Sequence, residues 1–100
     1  MELEQRVEAF VKLGELLRSY VDEKFDDSRL SSEELEYKNL LSDKINLAKV
    51  KNPWFTPDNV NYALNKWSKL LTHSAIKEFN DKYNFKIKKS KKVALITAGN

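Results

Sequence analysis

Few residues in this chain can do chemistry by type, and their spacing decides among them. Asn100 follows Ala98 and Gly99 at the end of the run Val93-Ala94-Leu95-Ile96-Thr97. A continuous apolar run with β-branched members predicts a strand covered on both faces, and ligands of open α/β sheets bind beyond the carboxyl ends of such strands. An asparagine amide at that place can donate a hydrogen bond to a developing oxyanion, an interaction worth about 2.7–4 kcal/mol in other enzymes; the other reading is an ordinary turn residue. His73, the only histidine, is either a general base with no evident orienting partner in the local sequence or a polar loop residue. Lys86, Lys88, Lys89, Lys91 and Lys92, five lysines over seven residues, can bind phosphate or nucleic acid, or form a solvated linker that guards an aggregation-prone strand. The linker is the favoured reading, and nucleic acid is not the expected partner.

The remaining chemistry is excluded by composition. With no cysteine there is no disulfide, thiolate ligand or cysteine nucleophile, and a single histidine argues against a transition-metal site. No paired carboxylates on a recognisable loop, Gly-x-Gly-x-x-Gly or phosphate loop occurs. One hundred residues, 41% hydrophobic and 11% aromatic, match one small domain with a modest core. The start Met1-Glu2-Leu3-Glu4-Gln5-Arg6 is acidic and helical in pattern rather than a basic leader. No stretch approaches 18 consecutive apolar residues, so a cytoplasmic protein without a membrane span is expected. The net charge of +3 divides unevenly: residues 1–36 hold 11 acids and 5 bases, residues 37–100 hold 4 acids and 13 bases. Halves of opposite sign are expected to pack on each other.

The elements that must position these residues are mostly helical. Leu3, Val7, Phe10, Gly14, Leu17, Val21 and Phe25 advance by three or four and predict a first amphipathic helix. Gly14 interrupts that stripe, where it costs about 1 kcal/mol of helix propensity relative to alanine; either a close approach by another backbone compensates or the glycine is a neutral small residue. Ser31 and Glu34 form a capping box that opens a second helix, with Tyr37, Leu41, Ile45 and Ala48 on one face, widened by Leu40 and Leu47, and ended by Asn52-Pro53. In Asn52-Pro53-Trp54-Phe55-Thr56-Pro57-Asp58-Asn59-Val60, Thr56 is the expected N-cap of a third helix, Pro57 its first residue and Phe55–Val60 a hydrophobic staple. Trp54 and Phe55 are read as staple and core, the alternative being an acyl pocket. Val60, Leu64, Trp67 and Leu71 are the expected buried face. Thr72-His73-Ser74 caps a short fourth helix carrying Ile76, Phe79 and Tyr83. The fold class expected is therefore mostly α: about four amphipathic helices over residues 1–85, a basic linker at 86–92, and one C-terminal β-strand and turn at 93–100.

The motif from Asn52 to Val60, the spaced Ala63, Leu64 and Trp67, and the ending Lys92-Val93-Ala94-Leu95-Ile96-Thr97-Ala98-Gly99-Asn100 resemble the N-terminal region of bacterial acyl-CoA reductases. These are the bioluminescence-type fatty-acid reductases of the aldehyde dehydrogenase superfamily. The resemblance covers most of the chain and is strongest from Asn52 onward. It implies that the strand opens the α/β nucleotide-binding domain of a longer parent. There Asn100 would help hold the thioester or hemithioacetal oxygen, with Ala98 and Gly99 as backbone neighbours of the nicotinamide of NADPH. The parent would reduce acyl-CoA to a fatty aldehyde through a cysteine thioester. This stretch has no such cysteine, so the fragment is expected to be non-catalytic and to need no cofactor. A strand with no second strand to pair with is expected to self-associate through Val93, Ala94, Leu95 and Ile96. The competing expectations are a stand-alone helical protein-interaction module and an anion- or nucleic-acid-binding protein acting through the stretch Lys86 to Lys92.

Overall fold

A computed structural model describes residues 2–86 and 89–97. The order of elements is α1 (Leu3–Val21), a single 3-10 turn (Asp27–Arg29), α2 (Ser32–Lys51), α3 (Pro57–Leu70) and α4 (His73–Asn80). Each start has a local cause. The Ser31 hydroxyl accepts the Glu34 N–H while Glu34 accepts the Ser31 N–H, closing the expected capping box on α2. Thr56 caps α3 by accepting the Asn59 N–H, with Pro57 in the first turn where its missing donor goes unneeded. Thr72 does the same for α4 through the Ala75 N–H. α1 stops at Val21, short of the expected Phe25, because the Asp22 carboxylate accepts the Lys24 N–H and turns the chain.

α1 is the axis of the molecule. Glu8 meets His73, Gly14 meets Leu71 and Arg18 meets Ser68. These partners run down the sequence as α1 runs up it, so α3 and then α4 return antiparallel along α1. α2 packs against both α1 and α3. At Gly14 the approach is close: an added Cβ would lie 2.7 Å from Leu71 Cβ and nearer still to the Leu71 carbonyl oxygen. The backbone approach anticipated for this glycine is thus present. One turn further on, the Arg18 guanidinium donates to the Ser68 carbonyl at 2.6 Å and the Leu71 carbonyl at 3.4 Å. A cation from α1 therefore closes the negative C-terminal end of α3.

The close approach sets what is buried. Val11, Leu17, Leu30 and Ile45 form the apolar core, with Ser19 and Ser68 buried among the polar residues. Three sequence expectations are corrected here. On α1, Val11 takes the inner place expected of Phe10, which is more than half exposed. On α3, Ser68, 2% exposed, takes the place expected of Trp67, because only a small side chain fits where Arg18 and Gly14 bring the helices together. Trp54, expected in the core, is 81% exposed. The radius of gyration of 16.3 Å exceeds the roughly 13 Å of a compact domain of this length. That difference reflects a thin core and an outlying tail.

The tail differs from expectation too. Residues 89–97 take no regular secondary structure, and no strand occurs among the described residues. Val93, Leu95 and Ile96 are 89%, 86% and 95% exposed. Strand propensity is satisfied only by a ladder, and the described residues contribute no second strand. The opposed charges of the two halves contribute less than expected. Among the described residues they meet as Lys38–Asp27 at 2.9 Å and His73–Glu8 at 2.6 Å. Arg29–Glu15 and Lys77–Asp81 are each internal to one half.

Gly14→Ala is expected to destabilise the fold by about 1–3 kcal/mol, the cost of overpacking, although alanine gains about 1 kcal/mol in helix propensity. Urea unfolding measures it. A higher midpoint for the alanine variant would show that α1 and α3 separate freely and that their contact constrains nothing.

Candidate functional site

The first feature with the shape of a site is an apolar groove between α1, the end of α3 and α4. Phe10, Trp67, Leu70, Ala75, Ile76 and Phe79 line it, and it encloses about 410 Å³. It arises from the close approach of α1 and α3: with Ser68 inward, Trp67 is turned to the flank of α3 and faces Phe10 across the gap. Past α4 the rings of Phe79 and Tyr83 meet tilted at 5.0 Å between centroids, and those of Tyr83 and Phe85 meet edge to face at 6.2 Å. Tyr83, expected on α4, lies three residues beyond its end and reaches the helix through its tilted contact with Phe79. The groove is lined by carbon with one amide, that of Asn80, at its edge. It is suited to an apolar side chain or chain segment, and holds no nucleophile or acid–base pair.

His73 does acquire an orienting partner, the Glu8 carboxylate 2.6 Å from Nε2. The pair lies open to solvent, with the two side chains 65% and 58% exposed, and the hydroxyls nearest in sequence, Thr72 and Ser74, face each other at 3.4 Å. Nothing arranges a nucleophile against the imidazole, so the contact ties the start of α4 to α1. His73 is the first residue of α4 rather than a loop residue, and the general-base reading finds no nucleophile beside it. Lys86, Lys89, Lys91 and Lys92 are exposed; Lys88 lies outside the described residues. So do Ala98, Gly99 and Asn100, the residues given an oxyanion and cofactor role by resemblance. Among the described residues no group of three or more His, Cys, Asp or Glu side chains is placed to hold a metal ion, and no helix is long and apolar enough to cross a membrane.

Two titratable groups are displaced from their ordinary values. Ser28, through its hydroxyl and its N–H, holds the Asp26 carboxyl below 3.8. The Glu33 carboxylate, accepting the Tyr37 hydroxyl at 2.8 Å, raises that phenol above 10.0. Both shifts reinforce the form already present at neutral pH, so neither group is readied for proton transfer there.

Sequence reasoning missed Phe10 as a groove residue, Arg18 as a cap and Asn59 as a brace. Arg18 carried a signal: it stands four residues after Gly14, on the apolar stripe, where a charge needs a partner. Asn59 donates from its side chain to the Trp54 carbonyl at 2.9 Å, while Asn52 accepts the Trp54 N–H at 3.0 Å. No family model, curated protein or solved structure matches the chain.

The Tyr37–Glu33 hydrogen bond makes a pH-dependent contribution to the fold. A phenol whose value is raised on folding stabilises below 10.0, and the contribution disappears as pH rises through the raised folded value. Glu33→Gln is expected to bring the Tyr37 titration back toward 10.0, followed by NMR of the ring carbons. A Tyr37 midpoint that the substitution leaves unmoved would remove the bond from the account.

Proposed function

We propose that this chain is a non-catalytic helical docking element, the N-terminal portion of an NAD(P)H-dependent acyl-CoA reductase. In that setting residues 93–97 become the first strand of an α/β nucleotide-binding domain. The observation that carries the reading is the exposure of Val93, Leu95 and Ile96, each more than four-fifths open. A segment of buried-strand composition with no ladder among the described residues is completed by a sheet supplied from elsewhere. The motif Asn52 to Val60 and the ending Lys92 to Asn100 supply the kind of sheet through their resemblance to acyl-CoA reductases. The groove of Phe10, Trp67 and Phe79 supplies further apolar surface for the helices to pack against that domain.

In the parent that the resemblance implies, bound NADPH would supply the hydride that reduces the acyl group to the aldehyde. By that resemblance Asn100 would be the residue that holds the thioester or hemithioacetal oxygen, with Ala98 and Gly99 as backbone neighbours of the cofactor. A second reading, a stand-alone helical interaction module, rests on the same groove taken as the site for a separate protein.

The reading frame beyond Asn100 separates the two. The docking element is expected to continue into apolar strands and a cysteine-bearing domain. An immediate stop codon, or a continuation with neither, would end the acyl-CoA reductase reading and leave the interaction module. The 100-residue chain by itself is expected to leave NADPH unoxidised in the presence of acyl-CoA; turnover by the purified chain would contradict a non-catalytic role.

A further inference from the structure

A short connector joins the apolar groove to the apolar tail. Phe85 and Lys86, where the tail leaves the helices, stand in a hollow that shares Asn80 with the groove and includes Arg6, one turn of α1 before Phe10. The tail is thus rooted at one end of the groove. The rings of Phe79 and Phe85 are linked through Tyr83, at 5.0 and 6.2 Å between centroids. Six residues, 87–92, separate Lys86 from Val93, a reach of about 20 Å when extended. That is enough chain to turn back along α4.

We propose that residues 93–96 close over the groove of their own chain as a strap, with Val93 beside Phe79 and Leu95 between Phe10 and Trp67. The structure shows the strap open, with Val93 and Leu95 89% and 86% exposed. In an extended segment alternate side chains share a face, so Val93 and Leu95 enter together while Ala94 and Ile96 point away. Their separation of about 7 Å along the segment matches the rise of about 6 Å from Ala75 to Phe79 on α4. The Asn80 carboxamide at the groove edge offers a donor and an acceptor to the backbone of the strap. Lys89, Lys91 and Lys92, exposed in the connector, stay in water. So short a tether holds the strap at an effective concentration of about a millimolar, and the chain's own groove is filled before that of a second copy. Self-association through the same residues is then held off. A sheet that takes up residues 93–97 withdraws the strap, so strand and groove become available together. That release rests on the docking role proposed above; the closed contact does not, and it would survive a reading frame that stops at Asn100.

NMR on the full chain with labelled methyl groups tests it. Nuclear Overhauser contacts are expected from Val93 to Phe79 and from Leu95 to Trp67, unchanged on dilution and absent between labelled and unlabelled chains in a mixed sample. Leu95→Lys is expected to abolish both contacts, including the one made by Val93, and to raise binding of the dye anilinonaphthalene sulfonate as the groove is uncovered. Ile96→Lys adds the same charge on the outward face and is expected to leave contacts and dye binding as they are. Both substitutions lie in the exposed tail, away from the core. A folded wild-type chain without these contacts, contacts found only between different chains, or an Ile96→Lys effect equal to that of Leu95→Lys would each overturn the inference.

Discussion

The contact between Gly14 and Leu71 governs this structure. Two helices can approach this closely only where one of them carries no side chain, and the approach leaves the carbonyls at the end of α3 within reach of Arg18. The guanidinium then meets acceptors that the helix cannot satisfy internally. Ser68 turns inward because nothing larger fits, and its hydroxyl is satisfied by the Asn65 carbonyl at 2.7 Å. Steric closeness, charge and small side chains are thus one arrangement. An isolated reading of the glycine as a weak spot in α1 would miss this.

The same closeness leaves the core thin and moves apolar surface outward. With the inner line of α3 occupied by a serine, Trp67 lies on the flank and makes the wall of a groove with Phe10 and Phe79. α2 meets a narrow platform and uses only the side bearing Leu41, Ile45 and Ala48. Among the described residues four buried apolar side chains, none of them completely enclosed, make a small hydrophobic contribution. Coverage of the outer surfaces by other polypeptide would add to it.

What the sequence disclosed was the local part. The capping box at Ser31 and Glu34, the cap at Thr56 with Pro57 behind it, and the end of α2 before Pro53 each depend on groups within a few residues, and each is found in place. The glycine's close approach was legible as well, because an interrupted stripe needs a reason. The choice between Phe10 and Val11, or between Trp67 and Ser68, depends on the distance between two helices far apart in sequence, which periodicity does not contain. On α2 the sequence placed Leu40 and Leu47 at the edges of one face with Tyr37, Leu41, Ile45 and Ala48, and the structure leaves Tyr37, Leu40 and Leu47 exposed. Strand composition at 93–97 states a preference whose fulfilment lies in a partner strand, and the candidate site at Ala98, Gly99 and Asn100 depended on that strand.

At Trp54 the fold treats backbone and side chain differently. Its N–H is held by Asn52 and its carbonyl by Asn59, yet its indole stands in water. Ordering a mobile side chain at an interface costs about 0.5–1.5 kcal/mol, and a loop that must also be ordered costs more. Here the loop is ordered before any encounter, leaving only the two torsions of the indole to be fixed. One of the two largest side chains in the protein is therefore offered to an incoming surface with most of its entropic penalty already met by folding.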